Sequence, residues 1–274
     1  MTKETGEQTK RWQQWGTPTD ETSSVYYKRA TGELPEMESS KALASLVKEW
    51  VLPRDSILDV GCGAGHYLQS LRREIAEPFR YTGLDATRRH IELAREAWKG
   101  QSDTDFQQGD IYSLPFDDAE YDIVMCSNVL LHLPSVQVPL SELVRTARRR
   151  VIIRTLVGDR SFRIQEVRSS ADDRTDASTA SDAKVDSEFD ADGEPKSFSY
   201  YNIYSQSYIE GLVSRLPNTT SCTIFPDREF DVAKLEADLA RYSSPNATHL
   251  MNGLQVNRYV LLPWHFVSIE VSVG

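Results

Sequence analysis

The apolar positions of this chain fall into short runs separated by amphipathic stretches, and that alternation predicts its elements in order. Residues 56–60, SILDV, form a compact apolar run between Pro53 and a group of glycines, which reads as a buried strand. Ahead of it, Leu43, Leu46, Val47 and Trp50 recur at helical spacing, with Pro35 suited to the first turn. Behind it, Tyr67, Leu68, Leu71 and Ile75 share one helical face. Residues 80–85, RYTGLD, predict a second strand. Thr87 then caps a helix carrying Ile91, Ala94 and Trp98, and Gly100 stops it. A short strand near Asp105 and Phe106 follows, then a strand over 121–127, a helix bearing Leu140, Leu143, Val144 and Ala147, and a strand over 150–157. Such alternation predicts an α/β fold, a doubly wound, mostly parallel sheet with helices on both faces.

Residues 158–196 break the rhythm. They hold almost no periodic apolar signal and are rich in Asp, Ser, Arg and Ala. A stretch of that composition buries too little surface to offset its ordering entropy, which predicts a lid or a disordered excursion, disordered above all over Ala171–Asp192. Order returns at 198–205, FSYYNIYS, followed by a helix with Tyr208, Leu212, Val213 and Leu216. A strand is expected over 220–225, a polar helix over 230–242, an irregular stretch at Asn252-Gly253, and one or two closing strands interrupted at Pro263.

Composition narrows the class further. With 39% hydrophobic and 26% charged residues the chain reads as a soluble globular protein. It has no apolar run of membrane-spanning length, and its polar start lacks a signal-peptide core, so a cytoplasmic location and no membrane partner are expected. The net charge of −10 disfavours nucleic acid. The run Arg145, Arg148, Arg149 and Arg150 reads as cations at a helix C-terminus. Cys62, Cys126 and Cys222 are too widely spaced for a thiolate metal site, and no metal is expected.

The informative segment is Asp59-Val60-Gly61-Cys62-Gly63-Ala64-Gly65, where a strand hands over to a helix. Glycines there allow sharp turns and close approach of a ligand to the main chain. The site lies at the carboxyl end of the first strand, where open α/β sheets bind ligands. A dinucleotide fingerprint would need a glycine where His66 stands, and no phosphate-binding G-x-x-x-x-G-K-[ST] is present. LDVGCGAG instead resembles motif I of the class I S-adenosylmethionine-dependent methyltransferases. Asp85 ends the second strand twenty residues after Gly65, and Asp110 in QGDIYSLPF ends the third, both in the family's order. The resemblance covers about residues 50–157.

That resemblance implies a seven-stranded Rossmann-like sheet in the order 3-2-1-4-5-7-6 and S-adenosylmethionine as cofactor. It implies cofactor contacts at Asp59, Gly61, Cys62, Gly63, Gly65, Asp85, Ala86, Asp110, Ile111, Ser127 and Asn128, with Asp85 on the ribose hydroxyls and Ile111 beside the adenine. Residues 1–45 are expected to cap the cofactor site, with Tyr27 and Arg29 against the cofactor. Residues 46–274 form the methyltransferase domain, carrying an insertion at 158–204. Tyr26, Tyr200, Tyr201, Asn202 and Tyr204 are candidates for the acceptor side, since an aromatic, hydroxyl-bearing wall suits a small organic molecule. His132, after the fourth strand in SNVLLHLP, is the candidate general base and acceptor contact, against a structural role often seen at that position. Cys62 reads as a small residue in a tight turn, and His66 as surface or packing.

The expected activity is methyl transfer to oxygen, nitrogen or carbon of a small-molecule acceptor. SNVL after the fourth strand departs from the [ND]-P-P-[YF] of amino methylation, and no Pro-Cys marks cytosine methylation. Alternatives are a protein or peptide acceptor, a non-catalytic cofactor-binding subunit, and aminopropyl transfer, which the uncharged SNVL disfavours; a nicotinamide dehydrogenase ranks last. Oligomeric state, monomer or homodimer, is left open by the sequence.

Overall fold

Both faces of the central strands are buried, and this decides the layering. The computed structural model describes residues 20–167, 188–228, 248–251, 254–257 and 260–272. The helix expected over 230–242, the Asn252-Gly253 stretch and most of the acidic segment lie outside them. In chain order the elements begin with helices α1 (Asp20–Ala30) and α2 (Glu38–Lys48). Next come β1 (Ser56–Val60), α3 (His66–Glu74), β2 (Arg80–Asp85), α4 (Arg88–Ala97), β3 (Thr104–Gln108), β4 (Tyr121–Ser127), α5 (Gln137–Thr146) and β5 (Ala147–Gly158). The remainder is β6 (Gln165–Val167), β7 (Phe198–Tyr200), β8 (Tyr204–Ser205), α6 (Gln206–Val213), β9 (Thr219–Pro226), β10 (Thr248–Met251), β11 (Leu254–Asn257), β12 (Val260–Leu261) and β13 (Trp264–Val271).

The main sheet runs β3-β2-β1-β4-β5-β13-β9. Counted along the chain, its strands take the expected order 3-2-1-4-5-7-6, with β13 antiparallel to both neighbours. Because side chains alternate across a strand, each central strand feeds two cores. Leu58, Val60, Val124, Cys126, Val151 and Ile153 face one, packed under α5 and α6. Ile57, Ile123, Met125, Ile152 and Phe266 face the other, against α2, α3 and α4. No helix among the described residues is long and apolar enough to cross a membrane.

Four local expectations change. Pro35 lies before α2, whose N-cap position is Met37, so the helix begins a turn later than the proline suggests. Thr87 does occupy the N-cap of α4, but its side chain makes no cap; the Thr87 amide donates to Asp85 Oδ1 instead (2.8 Å). The boundary at 45/46 falls inside α2, whose Leu43, Ala44 and Val47 are buried in the same core as Ile57. Arg148, Arg149 and Arg150 belong to β5 rather than to a helix end, and each is engaged by its own neighbours, with Asp122 also 3.9 Å from Arg149. Arg148 pairs with Asp122, Arg149 with Asp55, and the Arg150 guanidinium lies 3.4 Å from the Trp50 ring centroid.

The described parts of the insertion pair with one another and with β5. β6 pairs antiparallel with β7, Phe162 bridges Ile203, and β8 adds in parallel to the end of β5. Asp190 Oδ1 accepts from the amides of Asp192 (3.0 Å) and Glu194 (2.9 Å), closing a turn beside the Phe189–Pro195 bridge. β6 and β7 are three residues each, too short for a period to be read.

Candidate functional site

The loop joining β1 to α3 turns through three left-handed glycines, Gly61 (φ +85°), Gly63 (φ +55°) and Gly65 (φ +75°). Any other residue would be strained at these angles. At Gly61 a Cβ would also overlap Cγ2 of Val129, so the backbone passes unshielded along the wall of a cleft. That cleft opens at the carboxyl ends of β1, β2 and β4. Of the expected contacts, Gly61, Gly63, Asp85, Ala86, Ile111, Ser127 and Asn128 line it, and so does Tyr26.

Other candidates sit around the cleft without lining it. Gly65 is a packing glycine: its carbonyl accepts from Trp98 Nε1 (3.2 Å), and a Cβ would lie 2.8 Å from that nitrogen and from the Phe106 ring. Cys62 turns its sulfur into the core, where burial pushes the thiol far above its ordinary range. Asp59, 2% exposed, sits beneath the loop and accepts from the Tyr81 hydroxyl (2.6 Å). Burial pushes its carboxyl up to about 7, with the Asp85 charge adding to the rise and the Tyr81 bond opposing it. Asp110 is exposed between Gly109 and Ile111, which both line the cleft, and its Oδ1 accepts from the Tyr112 amide (3.0 Å). Tyr27 faces Glu96 on α4, and Arg29 lies near Tyr26 and His66.

Asp85 is bonded on both carboxylate oxygens. Its Oδ2 accepts from the Gly63 amide (2.9 Å), while Oδ1 accepts from the Thr87 amide and faces His90 Nδ1 (3.3 Å). Burial alone would raise this carboxyl, yet the bonds from His90, Thr87 and Gly63 outweigh it and hold the group below its usual range. It is a carboxylate, tied to the glycine loop on one side and to α4 on the other.

Two histidines belong to the cleft that the sequence did not place there. His66, the first residue of α3, is stacked by Tyr26 with centroids 4.7 Å apart and planes 4° from parallel. Burial, with Arg29 and His90 adding to it, pushes its imidazole down to about 3, so the ring is neutral. His90 meets the edge of Tyr26 at 5.6 Å. Their Nδ1 (His66) and Nε2 (His90) are buried without a hydrogen-bond partner among the described residues. Position was the available signal: His66 follows the glycine loop directly, and His90 stands one helical turn beyond Thr87, on the side of Asp85. Tyr67, expected only to pack, joins the cleft through its hydroxyl, which accepts from Ser127 Oγ (2.9 Å).

Of the residues expected on the acceptor side, Tyr26 lines the cleft, while His132, Tyr200, Tyr201, Asn202 and Tyr204 form a brace beside the turn after β4. His132 Nδ1 meets the Tyr200 carbonyl oxygen at 2.7 Å, and its ring meets the Tyr201 ring edge-on at 4.9 Å. Asn202 Nδ2 donates to the Leu133 carbonyl (2.8 Å) and to the Tyr204 hydroxyl (3.2 Å), which in turn donates to the Leu130 carbonyl (3.3 Å). None of these five residues lines the cleft described above. They pin the turn after β4 to the end of the insertion, because backbone carbonyls buried there need donors.

Asn128 ties the cleft to a buried ion pair. It lies in the cleft with a left-handed φ of +61°, and Arg154 Nη1 donates to its Oδ1 (2.7 Å). Arg154 is 3% exposed, paired with Asp227 (2.6 Å), and its guanidinium carbon lies 4.0 Å from the Trp264 ring centroid.

Comparison with known proteins agrees with this geometry. Residues 57–150 match a family model described as a methyltransferase domain. The uncharacterized methyltransferase YcgJ of Bacillus subtilis is 34% identical over 95 residues, covering 34% of this chain and 36% of the relative. A demethylmenaquinone methyltransferase of Staphylococcus carnosus is 32% identical over 88 residues, covering 32% of this chain and 36% of the relative. The chain thus spans about a third of the length of either relative. Among solved structures, magnesium protoporphyrin IX methyltransferase from Synechocystis PCC 6803, crystallised with bound S-adenosylmethionine, superposes with a TM-score of 0.51 at 15% identity, covering 93% of this chain and 94% of that one. Residues 57–150 thus match a methyltransferase domain, and they lie on a sheet of the order 3-2-1-4-5-7-6.

Proposed function

We propose that the cleft binds S-adenosylmethionine and that the protein transfers the cofactor's methyl group to an oxygen, nitrogen or carbon atom of a small-molecule acceptor. The observation that carries this reading is the bond from the Gly63 amide to Asp85, which joins a glycine cradle to a carboxylate across the ends of two adjacent strands. The residues fit the group. Gly61 leaves bare backbone beside Val129 where a Cβ has no room, and two buried imidazole nitrogens have no hydrogen-bond partner among the described residues. When bound, the cofactor supplies a methyl group activated by a sulfonium.

In this reading Gly61 and Gly63 take the amino-acid portion, Asp85 the ribose, and Asp110 and Ile111 the adenine. Tyr67, Ser127 and Asn128 present hydroxyl and amide groups at the end of β4 toward the acceptor. Tyr26 and Met37 line the other wall and exclude water, so residues up to α2 act as a cap on the domain that follows. Methyl transfer depends mainly on such positioning and water exclusion. His132 serves as a brace for the turn after β4 and not as the base. The demethylmenaquinone methyltransferase relative supports a small organic acceptor over a macromolecular one.

Isothermal titration with S-adenosylhomocysteine tests the cofactor assignment. Low-micromolar or tighter binding is expected, weakened about tenfold or more by Asp85→Ala, the loss of a charged hydrogen-bond acceptor. No binding by the unaltered protein would overturn the assignment. A product-release assay over quinol, phenol, amine and carboxylate acceptors then tests the acceptor class, and turnover only on peptides would overturn that part.

A further inference from the structure

Asp85 has fewer free acceptor positions than a ribose diol asks for. A carboxylate offers about four lone-pair positions, two on each oxygen. Oδ1 already serves the Thr87 amide (2.8 Å) and His90 Nδ1 (3.3 Å), and Oδ2 serves the Gly63 amide (2.9 Å). One position is left, on Oδ2. Two ribose hydroxyls that both donate need two acceptors in reach.

His90 supplies the second. With a single ring proton held on Nδ1, facing the carboxylate, the imidazole would offer a bare lone pair at Nε2. His90 lines the cleft, is 7% exposed, and its Nε2 has no partner among the described residues. A buried acceptor without a donor costs free energy, and it persists where a ligand completes it. Two contacts hold the ring: Asp85 meets Nδ1, and the Tyr26 ring packs against it in a T-shaped arrangement, centroids 5.6 Å apart and planes 72° apart. The imidazole is thereby fixed beside the carboxylate that the ribose approaches.

We propose that His90 Nε2 and Asp85 Oδ2 share the two ribose hydroxyls of the cofactor, one hydroxyl each. The proposal rests on the reading of this cleft as the S-adenosylmethionine site. It makes His90 a binding residue in its own right and distinguishes the site from one in which a single acidic side chain accepts both hydroxyls.

The test is a cycle between side chain and ligand, read by isothermal titration on the full chain. S-adenosylhomocysteine and its 2′-deoxy and 3′-deoxy analogues are each titrated into the unaltered protein and into His90→Asn. The asparagine amide reproduces the Nδ1 donor to Asp85 and removes Nε2. His90→Phe, which removes both nitrogens and keeps the ring, serves as the second variant, and circular dichroism checks that each variant is folded. His90→Asn is expected to weaken S-adenosylhomocysteine binding about tenfold, the usual worth of one buried hydrogen bond. For one of the two deoxy analogues, the substitution should cost less than twofold, because the hydroxyl that met Nε2 is already gone. An equal loss for all three ligands would overturn the proposal and reduce His90 to a support for Asp85. Unchanged affinity for S-adenosylhomocysteine in His90→Asn would overturn it too. Failure of the unaltered protein to bind S-adenosylhomocysteine would overturn the cofactor reading and this inference with it, and is told apart from the other two by the first titration.

Discussion

Tyr26 lies flat on His66, with ring centroids 4.7 Å apart and planes 4° from parallel, so α1 is fastened to the residue that follows the glycine loop. The stack makes the N-terminal helix part of the cleft wall. Tyr26→Leu keeps apolar bulk and removes the aromatic contact, which is worth about 0.5–1.5 kcal/mol. Affinity for S-adenosylhomocysteine should fall about three- to tenfold by titration. Unchanged affinity would detach α1 from the site.

His66 couples stability to pH. Its folded imidazole is pushed down to about 3, whereas an unfolded chain takes the proton near 6.5. Between those values the unfolded state binds more protons, so the contribution of this residue is intact above about 6.5 and is lost as pH falls toward 3. His66→Phe preserves a ring under Tyr26 and removes the proton site. Urea unfolding at pH 7 and 4.5 should show the unaltered protein losing about 2–3 kcal/mol more than the variant over that interval.

Asp59 works in the opposite direction. Its folded carboxyl is pushed up to about 7, above the ordinary value of 3.8, so the folded state holds a proton that the unfolded state has released. The contribution is present below about 4 and is lost as pH rises through 7. Asp59→Asn leaves an oxygen to accept from the Tyr81 hydroxyl and carries no charge to bury. Its stability relative to the unaltered protein should improve by about 2–4 kcal/mol on moving from pH 4 to pH 8, measured by denaturant unfolding. A constant difference across that range would count against a buried, protonated Asp59.

Gly61→Ala meets two obstacles, a left-handed φ of +85° and the Val129 methyl group. The angle costs about 1–2 kcal/mol, and the new methyl displaces Val129 at the cleft wall. Cofactor binding should fall below detection by titration. Adding Val129→Ala relieves the overlap but not the angle, so it should restore binding only in part.

Arg154 and Asp227 are buried together, and removing one partner strands the other. Arg154→Met should destabilise the fold by about 3–5 kcal/mol, since Asp227 is left as an unpaired buried carboxylate. Arg154→Met combined with Asp227→Leu should recover a large part of that loss in thermal unfolding. Asn128 loses its Arg154 bond in both variants, so cofactor affinity should stay lowered even where stability returns.

The strand-and-helix order was legible because its signal is local. SILDV, RYTGLD and YDIVMCS are runs whose ends coincide with β1, β2 and β4, and buried strands of a parallel sheet need apolar residues on both faces. The glycine loop was legible for the same reason, since a left-handed turn demands glycine wherever the chain goes afterwards. Asp85 was placed by counting from that loop. The arginine run was misplaced because a basic sequence at the end of a helix and one at the start of a strand look alike. Only the partners Asp122, Asp55 and Trp50, far away in sequence, tell them apart.

By itself the sequence determined the α/β class, the order of its elements and the loop that holds the cleft, all consequences of short-range pattern and backbone geometry. Tertiary structure decided which side chains face the cleft. It turned Cys62 and Gly65 into packing, made His132 and the 200–204 segment a brace, and brought Tyr26, His66 and His90 together around Asp85. These are contacts between residues dozens of positions apart, set by how α1 and α4 dock on the sheet. A histidine one turn into a helix carries no mark of its use until packing shows which nitrogen has a partner and which is left for a ligand.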